Sequence, residues 1–241
     1  MKSAMHRLIR RFGYDLHRFH PAVFPDAQLA AQLAAQRIEL VLDVGANAGQ
    51  FGGKLREIGY RGRIVSFEPL SDAREKLLAA ADGDDTWEVA ERAAIGERDG
   101  EIQIHVSANS VSSSALGMLE AHVSSAPESR YIGKERAPLR RLDDIAAPYL
   151  RAKSVTLLKI DTQGYEDRVL EGASGILPRI AGVQLELSLV PLYEGQKLLP
   201  EMLERLRGLG FSIWAIWPGH VDPRDSRTLQ VDATFFRSTG D

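Results

Sequence analysis

Three acidic side chains lie at or near the carboxyl ends of predicted strands: Glu68 in VSFEP, Asp161 in LLKID and Glu186 in QLELS. Doubly wound sheets bind ligands at this edge, so the three acids are candidates for one site. A carboxylate there can accept hydrogen bonds from both ribose hydroxyls of a nucleotide, or exchange a proton during a reaction. Two of the three acids also have a structural interpretation. Glu68 is then a capping or solvated acid, and Glu186 is then paired with Lys159.

A glycine-containing turn precedes these acids in the segment VLDVGANAGQF. Gly45 and Gly49 allow a tight turn and a close approach of the backbone to a ligand. The N–H groups at the start of the following helix favour the anionic end of that ligand. The dinucleotide fingerprint G-x-G-x-x-G is absent, because Asn47 and Gln50 occupy two of its glycine positions. Asp43 is a charge inside an apolar run, so it must meet a cation or N–H groups. Two partners of the Asp43 carboxylate stay open: the ammonium of a ligand, or a hydrogen bond from the glycine loop.

Strand and helix patterns alternate from residue 40 onward, which predicts a doubly wound, mostly parallel α/β sheet. The predicted strands are 40–45, 63–69, 86–96 with its loop, 155–161, 183–190, 211–217 and 228–237. Residues 101–107 are predicted as an edge strand or an insertion. The predicted helices are 26–37, 48–59, 71–82, 166–177 and 198–210, with Asp26 capping the first and Ser71 or Asp72 the third. The last two strands follow each other without a helix, so we expect an antiparallel C-terminal hairpin.

Residues 1–36 are predicted to be a helical extension of the main domain, 37–241. Met5, Leu8, Ile9, Phe12 and Leu16 form one short apolar helical stripe among arginines. The stripe predicts a helix that packs on the domain or on a second subunit, which would give a homodimer. The alternative is peripheral contact of residues 1–20 with an anionic membrane.

Residues 107–136 form a Ser-rich, weakly periodic segment between two regular units. Long loops in compact domains are often functional, which suggests a lid over a binding site; disorder is the alternative.

Composition narrows the class of protein. The chain has 241 residues, a net charge of −3 and no cysteine, so disulfides, thiolate zinc sites and cysteine nucleophiles are excluded. The predicted main domain has no stripe of basic residues, so its sequence does not indicate a nucleic-acid partner. No run reaches the length of a transmembrane helix, and the basic N-terminus lacks the apolar run of a signal peptide. We therefore expect a cytoplasmic protein.

Five segments together resemble the FkbM family of S-adenosylmethionine-dependent methyltransferases: DVGANAGQF, SFEP, ERAAIGERDG, KIDTQGYEDRVLEGA and QLELSLVPLYEGQ. The resemblance extends from about Leu40 to Phe236. The first motif is shared by many methyltransferases, whereas KIDTQGYE with VLEGA is more specific. Thr162 and Gln163 stand where the family more often carries a Val-Glu pair, so this chain lacks the carboxylate of that pair.

The resemblance implies a Rossmann-like, seven-stranded methyltransferase fold and an O-methyltransferase that acts on hydroxyls of sugars in glycans or of natural products. It implies that Glu68 holds the ribose, that Arg92 and Ala93 flank the adenine, and that Asp161 lies beside the reactive methyl. The predicted cofactor site comprises Asp43, Gly45, Ala46, Asn47, Gly49, Phe51, Glu68, Pro69, Arg92, Ala93 and Asp161.

For such a reaction an alcohol needs help to lose its proton. Asp161 is the first candidate for the base or acceptor-orienting group, and Glu186 is the second. Carboxylates at this edge could instead bind Mg²⁺. No spaced ligand motif is present, so metal is the less favoured option. The candidate substrate-binding residues are Ser112, Ser113, His122, Tyr193 and His220. Lone loop histidines are more often simply solvated.

Other functions compete with this interpretation. An NAD-dependent oxidoreductase on the same sheet is disfavoured by the missing dinucleotide fingerprint. A non-catalytic protein that keeps the cofactor fold is a third hypothesis. A nucleic-acid methyltransferase is a weaker fourth, because the chain lacks the Asn-Pro-Pro-Tyr type of motif.

Overall fold

Strands and helices alternate along the chain from Leu40. The structure, a computed structural model, describes residues 2–15, 18–152 and 154–237. The strands are β1 Leu40–Val44, β2 Arg63–Phe67, β3 Trp87–Val89, β4 Ala94–Ile95, β5 Gly100–Ser107, β6 Tyr131–Arg140, β7 Thr156–Ile160, β8 Ile180–Ser188, β9 Phe211–Pro218 and β10 Gln230–Arg237. The α-helices are α1 Lys2–Arg11, α2 Pro25–Ala35, α3 Gln50–Glu57, α4 Ser71–Ala81, α5 Glu120–Ser125, α6 Leu142–Ile145, α7 Glu166–Gly172 and α8 Leu199–Gly208. None of the helices in these ranges combines the length and apolar character that crossing a bilayer requires.

Seven strands form the main sheet in the order β3-β2-β1-β7-β8-β10-β9. Strands β3, β2, β1, β7 and β8 are parallel, whereas β10 pairs antiparallel with both β8 and β9. The mostly parallel α/β sheet and the antiparallel C-terminal hairpin are thereby confirmed.

The central strands bring the ends of three segments together. Every residue of β1 and of β7 is buried, as expected for strands covered on both faces. Val44 is opposite Phe67 on one side and Ile160 on the other. The residues that follow these three strands, Gly45, Glu68 and Asp161, therefore meet at one edge of the sheet.

A second, three-stranded sheet in the order β4-β6-β5 stands beside this edge. The segment 101–107 pairs antiparallel with β6, a strand that was not predicted. Strand β6 is exposed along most of its length, so it carries little of the apolar alternation by which strands are predicted.

The predicted lid, residues 107–136, is not a structureless loop, because it contains α5 and the first residues of β6. The predicted segment therefore extends too far, because residues 131–136 belong to β6. Ser110, Val111 and Ser113 line the main cavity, which places the shortened segment against a candidate site. Its motion as a lid stays a prediction.

The N-terminal extension has two parts. In α2, Leu29 and Leu33 pack in one core cluster with Val41 and Phe236. Leu8 of α1 is exposed, as is Phe12, so the body of the same chain does not cover these two side chains. Leu16 of the predicted stripe lies outside the described residues, and nothing is described of the Met5 side chain. Contact with a partner or a membrane stays a prediction.

Helix caps differ from the predicted ones. Helix α2 begins at Pro25, which places Asp26 inside the first turn rather than at the N-cap. Helix α4 has Leu70 as its N-cap, without a side-chain cap, and the Ser71 hydroxyl donates to Glu135 instead. Proline at the first position of α2 places the start of that helix at residue 25. In α4, the hydrogen bond to Glu135 takes the Ser71 hydroxyl away from the helix end.

Gly52 in α3 packs directly against the Trp87 indole, and an added Cβ would lie 2.1 Å from a ring carbon. Gly53, its neighbour in the same helix, has nothing within 4 Å of that position. We expect Gly52→Ala to lower the free energy of unfolding by about 2 kcal/mol through overpacking. The matched Gly53→Ala should raise it by about 0.5–1 kcal/mol, because alanine favours helix. Urea denaturation of both variants tests this pair, and equal effects would contradict the packing.

Candidate active site

A cavity of about 330 Å³ opens at the carboxyl edge of β1, β2, β7 and β8. Of the residues singled out in the sequence, Gly45, Ala46, Asn47, Phe51, Glu68, Pro69, Ala93, Ser113, Asp161 and Glu186 line it. These positions agree with the predicted site, and their roles stay predictions. An apolar wall of Ile95, Ile102 and Ile104 was not predicted. The alternation of Ile102 and Ile104 in β5 was the signal for it.

The glycine loop is built around left-handed backbone at Gly45 and Gly49, with φ of 75° and 89°. An added Cβ on Gly45 would lie 1.9 Å from the Asp161 carbonyl oxygen, so the loop must pass β7 without a side chain. The corresponding position on Gly49 faces Leu77 and Trp87. Gly49 therefore does not line the cavity as predicted; it ends the loop at the N-cap of α3.

Glu68 is buried in the cavity wall and links two loops. Its Oε2 accepts the Asn47 N–H at 2.8 Å, and its Oε1 accepts the Leu70 N–H at 2.8 Å. Burial raises the pKa of Glu68 to about 7, against the lowering effect of these two donors. Each carboxylate oxygen has a further lone pair for a ligand hydroxyl.

Asp43 is fully buried and finds its cation within the chain. Lys159 Nζ lies 3.0 Å from Asp43 Oδ1, and the Ser66 hydroxyl donates to Oδ2 at 3.2 Å. Lys159 also donates to the Gly45 carbonyl oxygen at 3.1 Å. Burial acts to lower the pKa of Lys159, but the carboxylates of Asp43, Asp161 and Glu186 together raise it above its usual value. Asp43 therefore does not line the cavity, and Lys159 pairs with it rather than with Glu186.

Asp161 and Glu186 are joined by Gln163, one of the two residues at which the chain departs from the family pattern. Gln163 Nε2 donates to Asp161 Oδ1 at 2.7 Å and to Glu186 Oε2 at 2.8 Å. Gln230 Nε2 donates to the same Glu186 oxygen at 2.7 Å. Burial, followed by the charge of Asp161, raises the pKa of Glu186 well above its usual value.

Two predicted contacts lie elsewhere. The Arg92 side chain donates to the Pro69 carbonyl oxygen at 2.7 Å and to Glu135, so it braces the second sheet and does not line the cavity. Ala93 does line it. Ser112 is buried, and its hydroxyl oxygen accepts from Asn109.

His122, Tyr193 and His220 form a cluster that does not line the cavity. The His122 ring lies 5.1 Å from the Tyr193 ring and 5.8 Å from the His220 ring, and Ser125 Oγ lies 2.8 Å from His220 Nε2. Burial lowers the pKa of His122 to about 4. Packing of α5 against the loop after β8 takes these side chains out of the predicted substrate site. Within the described ranges, no group of three or more acidic or histidine side chains could hold a metal ion.

The sequence profile of a family described as "Methyltransferase FkbM domain" matches residues 43–213. The chain is 27% identical over 189 residues to the 2-O-methyltransferase NoeI of Sinorhizobium fredii (strain NBRC 101917 / NGR234), and the alignment covers 76% of each chain.

Two solved structures are similar in fold. The magnesium protoporphyrin IX methyltransferase (ChlM) from Synechocystis PCC 6803 with bound SAM has a TM-score of 0.46 and 13% identity, over 91% of this chain and 80% of that one. Aeropyrum pernix fibrillarin in complex with natively bound S-adenosyl-L-methionine has a TM-score of 0.45 and 13% identity, over 82% of this chain and 66% of that one.

Proposed function

Because this chain belongs to the FkbM methyltransferase family, we propose that it transfers a methyl group from S-adenosylmethionine to a hydroxyl of a sugar, in a glycan or a glycosylated metabolite. One observation carries the proposal. A single cavity holds Glu68 and Asp161, one on each side of the glycine loop.

The residues at the Glu68 end fit the methyl donor. A cavity of about 330 Å³ is in the range of small-molecule sites. Glu68 offers acceptor lone pairs for ribose hydroxyls, and the Gly45 turn brings backbone close to the ligand. Ile95 and Ile102 supply apolar surface for the adenine ring of the donor. When bound, S-adenosylmethionine supplies a methyl group that is already activated on a sulfonium.

The residues at the Asp161 end fit a hydroxyl acceptor. Asp161 faces the cavity with 37% of its side chain exposed, so a hydroxyl can reach it. Its carboxylate orients that hydroxyl and takes its proton as the oxygen attacks. Glu186 stays the second candidate for this role, and Mg²⁺ stays the less favoured alternative.

A sugar acceptor is supported by similarity to a relative whose name states 2-O-methylation. Gln50, Gln184 and Asp232 also line the cavity and can bond hydroxyl groups. A polyketide or other natural-product hydroxyl is the alternative acceptor, and a non-catalytic binding protein is the alternative function.

Transfer of labelled methyl from S-adenosylmethionine tests the proposal directly. Extracts of cells that lack the protein are incubated with the purified chain, with and without EDTA, and are fractionated into glycan, lipid, small-molecule and protein pools. We expect label in a glycan or lipid-linked sugar pool, insensitive to EDTA. Label in an aglycone pool would identify the alternative acceptor. S-adenosylhomocysteine binding without transfer to any pool would favour a binding role, and no binding would contradict the proposed donor.

A further inference from the structure

Gln163 is held in a backbone conformation that L side chains rarely adopt, with φ of 55°. The surrounding loop fixes it there. The Ser114 hydroxyl donates to the Gln163 carbonyl oxygen at 2.7 Å. Glu166 Oε1 accepts the N–H groups of Thr162 at 2.9 Å and Gly164 at 3.1 Å. Unusual backbone that is tied down from several directions is typical of functional loops.

The side chain amide of Gln163 has a defined orientation. Its Oε1 accepts the Tyr193 hydroxyl at 2.7 Å, and its Nε2 faces the oxygens of Asp161 and Glu186. The opposite amide orientation would set the amide oxygen against the oxygens of Asp161 and Glu186, and an ionised carboxylate can only accept, so the carboxylate end decides the orientation. Tyr193 is buried, with 1% of its surface exposed, and cannot turn away to solvent.

The Gln163 amide reduces the repulsion between two carboxyl groups at the cavity wall. Two carboxyl groups that approach the same point repel each other unless they share a proton, a cation or a hydrogen-bond donor. Here the Gln163 Nε2 is that shared donor, at 2.7 Å and 2.8 Å. A divalent cation that bridged the same two oxygens would have to displace it.

We propose that Gln163 is a positioning residue of the methyl transfer: its neutral amide links Asp161 to Glu186 in the place of a divalent cation and directs Asp161 toward the acceptor hydroxyl. The inference rests on the proposed function. In the step, the acceptor oxygen forms a bond to the methyl carbon while the carbon–sulfur bond breaks. The hydroxyl proton passes to the Asp161 carboxylate, and the sulfonium becomes a neutral thioether.

Burial and the neighbouring Asp161 raise the pKa of Glu186, so Glu186 holds a proton more readily than an ordinary glutamate. The charged and titratable groups that face the pair are Lys159 in β7, Glu166 in α7, Tyr193 after β8 and Asp232 in β10, and Lys159 is itself paired with Asp43 in β1.

The test variant is Gln163→Glu, which keeps the shape of the side chain but replaces the shared donor with a third carboxylate. Gln103→Glu, at an exposed position of β5, is the matched control for charge. Calorimetric titrations with MnCl₂ and with S-adenosylhomocysteine are run on both variants and on the wild type. Methyl transfer into the acceptor pool is measured against pH with and without EDTA.

We expect the wild type to bind Mn²⁺ weakly and to be insensitive to EDTA. Gln163→Glu should bind Mn²⁺ at least about tenfold more tightly than the wild type, because three carboxylates attract the cation. Its metal-free activity should fall about 100-fold at neutral pH, and its pH profile should shift to higher pH because the added negative charge disfavours a fully ionised pair of carboxylates. S-adenosylhomocysteine affinity should stay within about threefold in both variants, and Gln103→Glu should behave as the wild type.

Tight Mn²⁺ binding by the wild type that Asp161→Asn abolishes would overturn the inference, because the pair would then be linked by a cation. An unchanged Mn²⁺ affinity and pH profile in Gln163→Glu would overturn it as well. If Gln163→Glu does not fold, Tyr193→Phe replaces it. Loss of the hydroxyl that orients the amide should lower kcat about tenfold and shift the pH profile, and an unaltered profile would count against the link. Failure of the wild type to bind S-adenosylhomocysteine would reject the proposed function instead, and the Mn²⁺ titrations would still decide the link.

Discussion

Replacing Asp161 with asparagine is expected to lower the rate of methyl transfer about 1,000-fold, within the usual contribution of a general base. Asparagine has nearly the same shape and can still accept the Gln163 amide hydrogen, but it cannot take a proton. The binding of S-adenosylhomocysteine should change by less than about threefold, because Glu68 and the glycine loop hold the donor. Single-turnover transfer of labelled methyl, together with calorimetry, measures both quantities.

The matched control is Asp72→Asn, an equivalent change at an exposed position in the first turn of α4. It should leave the rate within about twofold of the wild type. If Asp161→Asn retains most of the activity and Glu186→Gln loses it, then Glu186 is the base. Retention of activity in both variants would exclude a carboxylate base at this edge.

Replacing Glu68 with alanine is expected to weaken the binding of S-adenosylhomocysteine at least about 100-fold, which corresponds to about 2.7 kcal/mol. The change removes the predicted ribose acceptor, and it also strips the N–H groups of Asn47 and Leu70 of their partner. A buried N–H without an acceptor is costly, so the loop that lines the cavity should lose its shape. The exposed Glu75→Ala in α4 serves as the control and should bind normally.

The same residue predicts a pH dependence of binding. The pKa of Glu68 is about 7, and only its ionised form accepts hydrogen bonds on both oxygens without also donating one. Affinity for S-adenosylhomocysteine should therefore rise as the pH increases from about 6 to about 8. Glu68→Gln should bind more weakly than the wild type and without this rise. Affinity that is flat in the wild type, or that rises equally in both, would show that another group titrates.

The elements that could be predicted were those with a strong local sequence pattern. LVLDV and TLLKI are continuous apolar runs followed by a turn or an acid, and both form fully buried strands. Helix α4 was predicted nearly to its residue bounds because helix-favouring Ala, Leu, Glu and Lys residues follow Ser71 and Asp72. Strand β6 was missed because most of its residues are exposed and only Ala137 and Leu139, near its end, form an apolar pattern on one face. Its partner β5 was predicted from the alternating isoleucines.

The residues that end the central strands could be identified from local apolar runs, and it follows that the Gly45 turn, Glu68 and Asp161 share one edge. Parallel strands joined by helices leave little choice about that edge, because all their carboxyl ends point the same way. The side-chain contacts among those ends became known only from the three-dimensional fold. Lys159 pairs with Asp43 because β7 lies beside β1 in a register that sets the two residues opposite each other. Gln230 reaches Glu186 because β10 enters the sheet between β8 and β9. Strand order and register depend on packing between distant segments, which local periodicity does not encode.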